Sequence, residues 1–151
     1  MKTYKPSLFL ALILINGCDS PAFNHKAPNN PQIQSGIDCQ LNFESSELCA
    51  KIEWIIGPNG EGDNSFHLKF WHRDDELSEE NFIDPTKTIQ VQLWMPSMGH
   101  GSAPVSIEKL EEGIYAVTNV EFIMPGDWDI RVKLVDGTNP IEQSKVSLII
   151  P

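Results

Sequence analysis

The chain has 151 residues, with 21 acidic against 11 basic side chains and a formal net charge of −10 at neutral pH. That balance argues against nucleic acid as a partner, because neutralisation of phosphates by Lys and Arg dominates such binding. It argues equally against direct adhesion to anionic lipid, while basic partners and metal cations stay compatible.

Taken in chain order, the first segment reads as an export signal. Met1-Lys2-Thr3-Tyr4-Lys5 is a basic head, Leu8 to Ile15 is an apolar run, and Asn16-Gly17-Cys18 follows. The run is shorter than the about 20 residues that a spanning helix needs and has the layout of a secretory signal. Its ending, Ile15-Asn16-Gly17-Cys18, resembles the bacterial lipobox, in which the cysteine is acylated and becomes the mature N-terminus. The expectation is therefore a lipoprotein signal peptide over residues 1–17 and lipidation of Cys18. The protein would then be lipid-anchored in a bacterial cell envelope, facing the periplasm. Asp19 resembles the inner-membrane retention signal of enteric lipoproteins, a rule that does not transfer safely between bacteria, so the choice of membrane stays open. Loss of residues 1–17 removes Lys2 and Lys5 and no acid, which takes the net charge to −12.

Residues 18–35 read as a tether: Pro21, Pro28, Pro31, several asparagines and almost no apolar side chains. Such a composition buries too little surface to order itself, and as a flexible chain it averages roughly 20–25 Å end to end. With Cys18 lipidated, the remaining cysteines, Cys39 and Cys49, form an even pair that an oxidising periplasm would join. The closed loop is worth on the order of 2–3 kcal/mol. A two-cysteine metal site is the competing reading and has no nearby histidine.

Residues 36–151 read as one domain, with no internal repeat and no long helix. Ala50 to Ile56 is followed by the turn cluster Gly57-Pro58-Asn59-Gly60-Glu61-Gly62. Phe66 to Trp71 alternates, as do Ile89 to Met95 and Trp128 to Leu134. Val105 to Leu110, Ile114 to Met124 and Ser144 to Ile150 complete the set. Period-two alternation over so many short runs means half-buried antiparallel strands. The pattern predicts an all-β fold, an immunoglobulin-like antiparallel β-sandwich of about seven strands.

Parity places Met95 on the face of Ile89, Val91 and Leu93, and Met124 on the face of Val120 and Phe122, so both should point inward. Pro96 and Pro125 lack ladder donors and hold the preceding residue extended, which sets both methionines at strand ends. If consecutive strands reverse, both Met-Pro pairs lie at one end of the sandwich. Met98 and His100 should then stand exposed on the loop after Met95. Thioethers with an imidazole suit Cu(I) better than harder metals, which makes Met95, Met98, His100 and Met124 a candidate site. The competing reading is structural, with the methionines as gap-fillers in the core.

These same residues carry a resemblance. Met95-Pro96-Ser97-Met98-Gly99-His100-Gly101, then Gly113-Ile114-Tyr115, then Phe122-Ile123-Met124-Pro125-Gly126-Asp127-Trp128 with an alternating strand after it, resemble the YtkA-like family, related to FixH-type accessory proteins. The resemblance spans roughly residues 50–150. It implies an exported or membrane-tethered immunoglobulin-like domain of a kind that often accompanies copper handling and respiratory oxidase assembly. The family's usual small-residue segment has no clear match upstream of Ile89.

Other constellations give less. Asp74, Asp75, Glu76, Glu79 and Glu80 lack the ligand spacing of a calcium loop and read as a solvated connection. His67 lies on the polar face of its strand, and His67 and His72 read as surface histidines. No Gly-x-Ser-x-Gly elbow, no His-Glu-x-x-His and no phosphate-cradling glycine loop occurs, and the chain reads as a non-enzyme. Two functions are expected from this sequence. One is a copper(I)-binding accessory or assembly lipoprotein, anchored through Cys18 and serving an envelope or respiratory-complex protein. The other is an interaction module of the cell envelope that binds no metal.

Overall fold

A computed structural model describes residues 39–151. The expected signal peptide, tether and lipidation site Cys18 lie outside the described residues. Nine strands follow one another: β1 Leu41–Phe43, β2 Leu48–Ile56, β3 Asn64–His72, β4 Thr88–Met95, β5 His100–Gly101, β6 Ser106–Glu111, β7 Ile114–Val120, β8 Gly126–Asp136 and β9 Asn139–Ile150. Among the described residues the only helical element is a single 3-10 turn, Glu79–Asn81, and no helix is long and apolar enough to cross a membrane.

The strands form two antiparallel sheets, ordered β1-β2-β3-β7-β6 and β5-β4-β8-β9. Each of the seven alternating runs of the sequence contains a strand, although that of Ile114 to Met124 stops at Val120, and β1 and β5 are additional. The β-sandwich expectation holds, with nine strands in place of about seven.

Alternation makes the core. Leu48, Ala50 and Ile52 of β2 and Phe66, Leu68 and Phe70 of β3 face inward from the first sheet. Leu93 and Met95 of β4 and Trp128, Ile130, Val132 and Leu134 of β8 meet them from the second. At about 25 cal/mol per Å² of buried apolar surface, this shared layer is the main force holding the sheets together. The flank where β1 meets β9 is closed by polar contacts. Ser144 Oγ accepts from Asn42 N at 3.1 Å, and the Glu142 carboxylate accepts from the backbone of Ser45 and Ser46 and from the Ser46 hydroxyl.

The disulfide forms between Cys39 and Cys49, with Cα atoms 5.2 Å apart. It lies on the outer face of the first sheet, where Cys49 opposes Trp71 across the β2–β3 ladder. There it packs with Trp71 and Phe82 in a small cluster separate from the main core. This differs from antibody domains, whose disulfide crosses between the sheets. The cluster covers Trp71, which alternation alone would leave in solvent. The long connection to β4 is pinned by Asp84, whose carboxylate accepts from Gly113 N at 2.9 Å, from the Tyr115 hydroxyl at 2.8 Å and from Lys109. The Lys109 ammonium in particular holds the Asp84 carboxyl below its usual range.

Candidate functional site

Strand direction brings four strand ends to one end of the sandwich. β4 finishes there at Met95 and β8 starts there at Gly126, because Trp94 pairs with Asp129 in an antiparallel ladder. β7 leaves the first sheet at the same end, since Val120 pairs with Asn64, the first residue of β3. β9 finishes beside Gly126 through Ile150. Both Met-Pro pairs therefore share an end, as the reversal of strands predicts.

Met95 is 2% exposed and belongs to the core. The chain turns back directly after it: Met98 N and Gly99 N both donate to Met95 O, at 3.2 and 3.0 Å. Gly99 takes φ +68° to make this turn. The return strand β5 is two residues long and places His100 opposite Met95 and Gly101 opposite Trp94. Directly opposed residues of an antiparallel pair project from the same face, with β-carbons about 4.5–5.5 Å apart. His100 thus leaves the sheet on the side of the Met95 thioether. Gly101 permits the approach, for a β-carbon on it would stand 2.6 Å from the Leu93 carbonyl oxygen.

His100 is half-buried in a strand, contrary to the expectation of an exposed loop residue. Its Nδ1 lies 3.1 Å from Gly101 O. A carbonyl oxygen only accepts, so Nδ1 carries the proton in this arrangement and the lone pair of the neutral ring belongs to Nε2. A backbone partner that fixes the tautomer is the usual support of a metal-binding imidazole. Met98, at the tip of the turn, is 59% exposed.

Met124 departs from expectation in a different way. β7 ends at Val120 and the ladder does not continue to Met124. Residues 121–124 instead cross from one sheet to the other, and Met124 is half-buried against the core. Its carbonyl accepts from Trp128 Nε1 at 3.0 Å, which ties the crossing to the start of β8. Two residues on, Gly126 lies under the terminal methyl of Met95. Below these groups runs a line of aromatic rings. Trp54 contacts Phe66 edge-on at 5.1 Å between centroids and Phe122 at 6.4 Å, and Phe122 contacts Trp128 edge-on at 5.5 Å.

Two residues that the sequence left unremarked position this end. Asn64 is 1% exposed. Its Oδ1 accepts from Asn59 N at 2.8 Å, and its Nδ2 donates to Val120 O at 3.0 Å and Asn59 O at 3.1 Å. One amide thereby joins the Gly57–Asp63 connection to the point where β7 releases the chain toward Met124. Asp129, directly opposite Trp94, is 2% exposed on the outer face of the second sheet. It accepts from Ser147 Oγ at 2.7 Å and Lys145 Nζ at 2.9 Å, with Arg131 at 3.5 Å. The Arg131 guanidinium in turn lies 4.7 Å from the centre of the Trp94 ring. Burial pushes the Asp129 carboxyl up, but these donors outweigh it and hold the group below the usual carboxylate range.

Among the described residues no three His, Cys, Asp or Glu side chains gather as a metal cluster. A metal bound between the two Met-Pro stretches would have thioethers as its main donors and His100 Nε2 as its nitrogen, a set that fits a soft monovalent ion. The acidic run from Asp74 to Glu80 is almost wholly exposed, and His67 lies on the outer face 4.0 Å from Glu53.

No curated protein and no solved structure matches the chain. The YtkA-like family model matches residues 57–133, half of the chain, including both Met-Pro stretches and the strands that position them. The chain belongs to the YtkA-like family.

Proposed function

We propose that this protein is a non-enzymatic envelope lipoprotein, acylated at Cys18, whose YtkA-like domain binds Cu(I) in the service of a respiratory or other envelope complex. The observation that carries this reading is the rung joining Met95 to His100, with Met98 in the turn between them and the Met124 crossing anchored beside Met95. Three soft sulfur donors and one oriented imidazole belong to two short segments at the same end of the sandwich. The chemistry asks for binding and release without turnover: thioethers are neutral, and they stabilise Cu(I) without competing with a stronger thiolate acceptor. The tether of residues 18–35 would keep the domain within reach of a membrane partner.

The test is methionine-methyl NMR of the mature protein during anaerobic addition of Cu(I) with a non-thiol reductant. The methyls of Met95, Met98 and Met124 should move together and saturate at one equivalent, with the His100 ring resonances. Movement of Met98 alone, or of none, would leave the second reading, an interaction module without metal. That reading has its own support in the exposed apolar side chains at the same end.

A further inference from the structure

The end of the sandwich that carries both Met-Pro stretches has a surface unlike the rest of the domain. Seven large apolar side chains are strongly exposed among the described residues, and five of them are here: Ile55, Ile56, Met98, Ile123 and Ile149. Ile55 and Ile56 close β2, Ile123 lies on the crossing between the sheets, Met98 tips the β4–β5 turn, and Ile149 is 76% exposed near the close of β9. Single exposed apolar residues are ordinary, whereas a concentration of them at one place marks a binding surface.

Charge at this end is just as one-sided. The connections over residues 55–64, 96–105 and 120–127 and the final residues 148–151 hold Glu61, Asp63, Glu121 and Asp127 and not one Lys or Arg. All four carboxylates are exposed. Elsewhere four acids are paired, Asp136 with Lys87, Asp84 with Lys109, Glu53 with Lys69 and Asp129 with Lys145 and Arg131, whereas the exposed acidic run of Asp74, Asp75, Glu76, Glu79 and Glu80 carries no strongly exposed large apolar side chain beside it. Among the described residues none of the four carboxylates at this end has such a partner.

We infer that this end is a docking face for a protein surface with an apolar centre rimmed by Lys and Arg. Exposed apolar side chains and unpaired carboxylates at one end supply both parts of a specific interface, surface to desolvate and charge that steers approach and rejects wrong partners. A bilayer surface fits less well, because the same four carboxylates would be carried into headgroups that repel or strip them. The inference holds with or without copper. It rests on the surface side chains of the end, whereas the metal reading rests on the rung beneath them.

The test uses the mature protein and a stand-in partner of the required chemistry, an amphipathic helical peptide of Leu and Lys, compared with its Leu and Glu counterpart. In an isoleucine-methyl NMR titration the Lys peptide should perturb Ile55, Ile56, Ile123 and Ile149, and added salt should weaken it. The Glu61→Lys, Asp63→Lys, Glu121→Lys, Asp127→Lys variant should bind it at least tenfold more weakly. Because those four positions are exposed, that variant should fold as the parent does. An Ile123→Ser, Ile149→Ser variant that keeps the charges should lose binding as well. Shifts centred on residues 74–80, equal binding of the Glu peptide, or binding of zwitterionic or anionic vesicles in place of the peptide would each overturn the inference.

Discussion

The terminal methyl of Met95 lies 2.9 Å from the point where a β-carbon on Gly126 would stand. The end of β4 and the start of β8 are thus fitted to each other through a glycine. Gly126 also has φ +135°, a region that L side chains rarely adopt. The sulfur of Met95 is held where it is partly because position 126 has no side chain.

Gly126→Ala should therefore destabilise the domain by about 2–3 kcal/mol, mainly through the backbone and partly by pushing Met95 aside. Gly99→Ala is the control. Its φ is +68° but no atom lies within 4 Å of the added carbon, so the loss should be about 1 kcal/mol. Urea unfolding of both variants measures the difference. Combining Gly126→Ala with Met95→Ala should be less destabilising than the sum of the two, because the truncated side chain no longer meets the added carbon.

Asp129 makes stability depend on acid. Its carboxyl titrates below its unfolded value of about 3.9, so the folded state holds fewer protons than the unfolded state in that range. Its contribution is complete above about pH 5 and is lost as pH falls through the unfolded and then the depressed folded value. Asp129→Asn should lower stability at neutral pH by about 1–3 kcal/mol and flatten the loss on acidification. Urea melts between pH 2.5 and 6 give both quantities. A parental slope unchanged in the variant would assign the acid sensitivity to Asp84 and the other paired carboxylates.

Much of this could be read from the residues, and the exceptions have physical causes. Most of the seven long strands were legible because one face of each is buried, which writes period two into the sequence; β6, almost wholly exposed, is the exception. β1 and β5, at three and two residues, are too short to alternate, and β5 exists because Gly101 lets the backbone come against Leu93. The alternation of Val120, Phe122 and Met124 suggested a longer strand. The ladder stops at Val120, where the chain begins its crossing to the other sheet and Asn64 takes up the released carbonyl. Asp129 and Trp71 occupy outward positions by parity. Their burial comes from Lys145 and Trp94, with the nearby Arg131, in one case and from Cys49 and Phe82 in the other, and apart from Arg131 these are distant in the chain, so no local pattern announces them. The shared end of the Met-Pro pairs was legible because it needs only strand reversal.

The disulfide should be intact in the native protein. Thiol labelling under denaturing conditions should modify neither Cys39 nor Cys49 until a reductant is added. Reduction should lower stability by about 2–3 kcal/mol, the entropy released by opening a loop of this length. Two thiols labelled without reductant would contradict the pairing.

The anchor is tested by mass. Intact-mass measurement of protein extracted from membranes should give a chain beginning at Cys18 and carrying acyl groups. Cys18→Ala should release the protein from the membrane fraction. A soluble, unmodified chain with another N-terminus would remove the lipoprotein from the account.

The most direct test of the central claim is a competition titration against a colorimetric Cu(I) chelator, with thermal melts of the same samples. The parent should bind one Cu(I) more tightly than micromolar and lose affinity on acidification, since the imidazole must be neutral to bind. Met98→Ala and His100→Ala should each weaken binding by about tenfold or more, equivalent to about 1.4 kcal/mol. Met98→Ala should leave stability within about 0.5 kcal/mol of the parent. Met95→Ala should cost about 2–5 kcal/mol of stability whether or not metal is present, and half-buried Met124 should cost less. Binding no tighter than micromolar in the parent, or affinity untouched by removal of His100, would contradict the account.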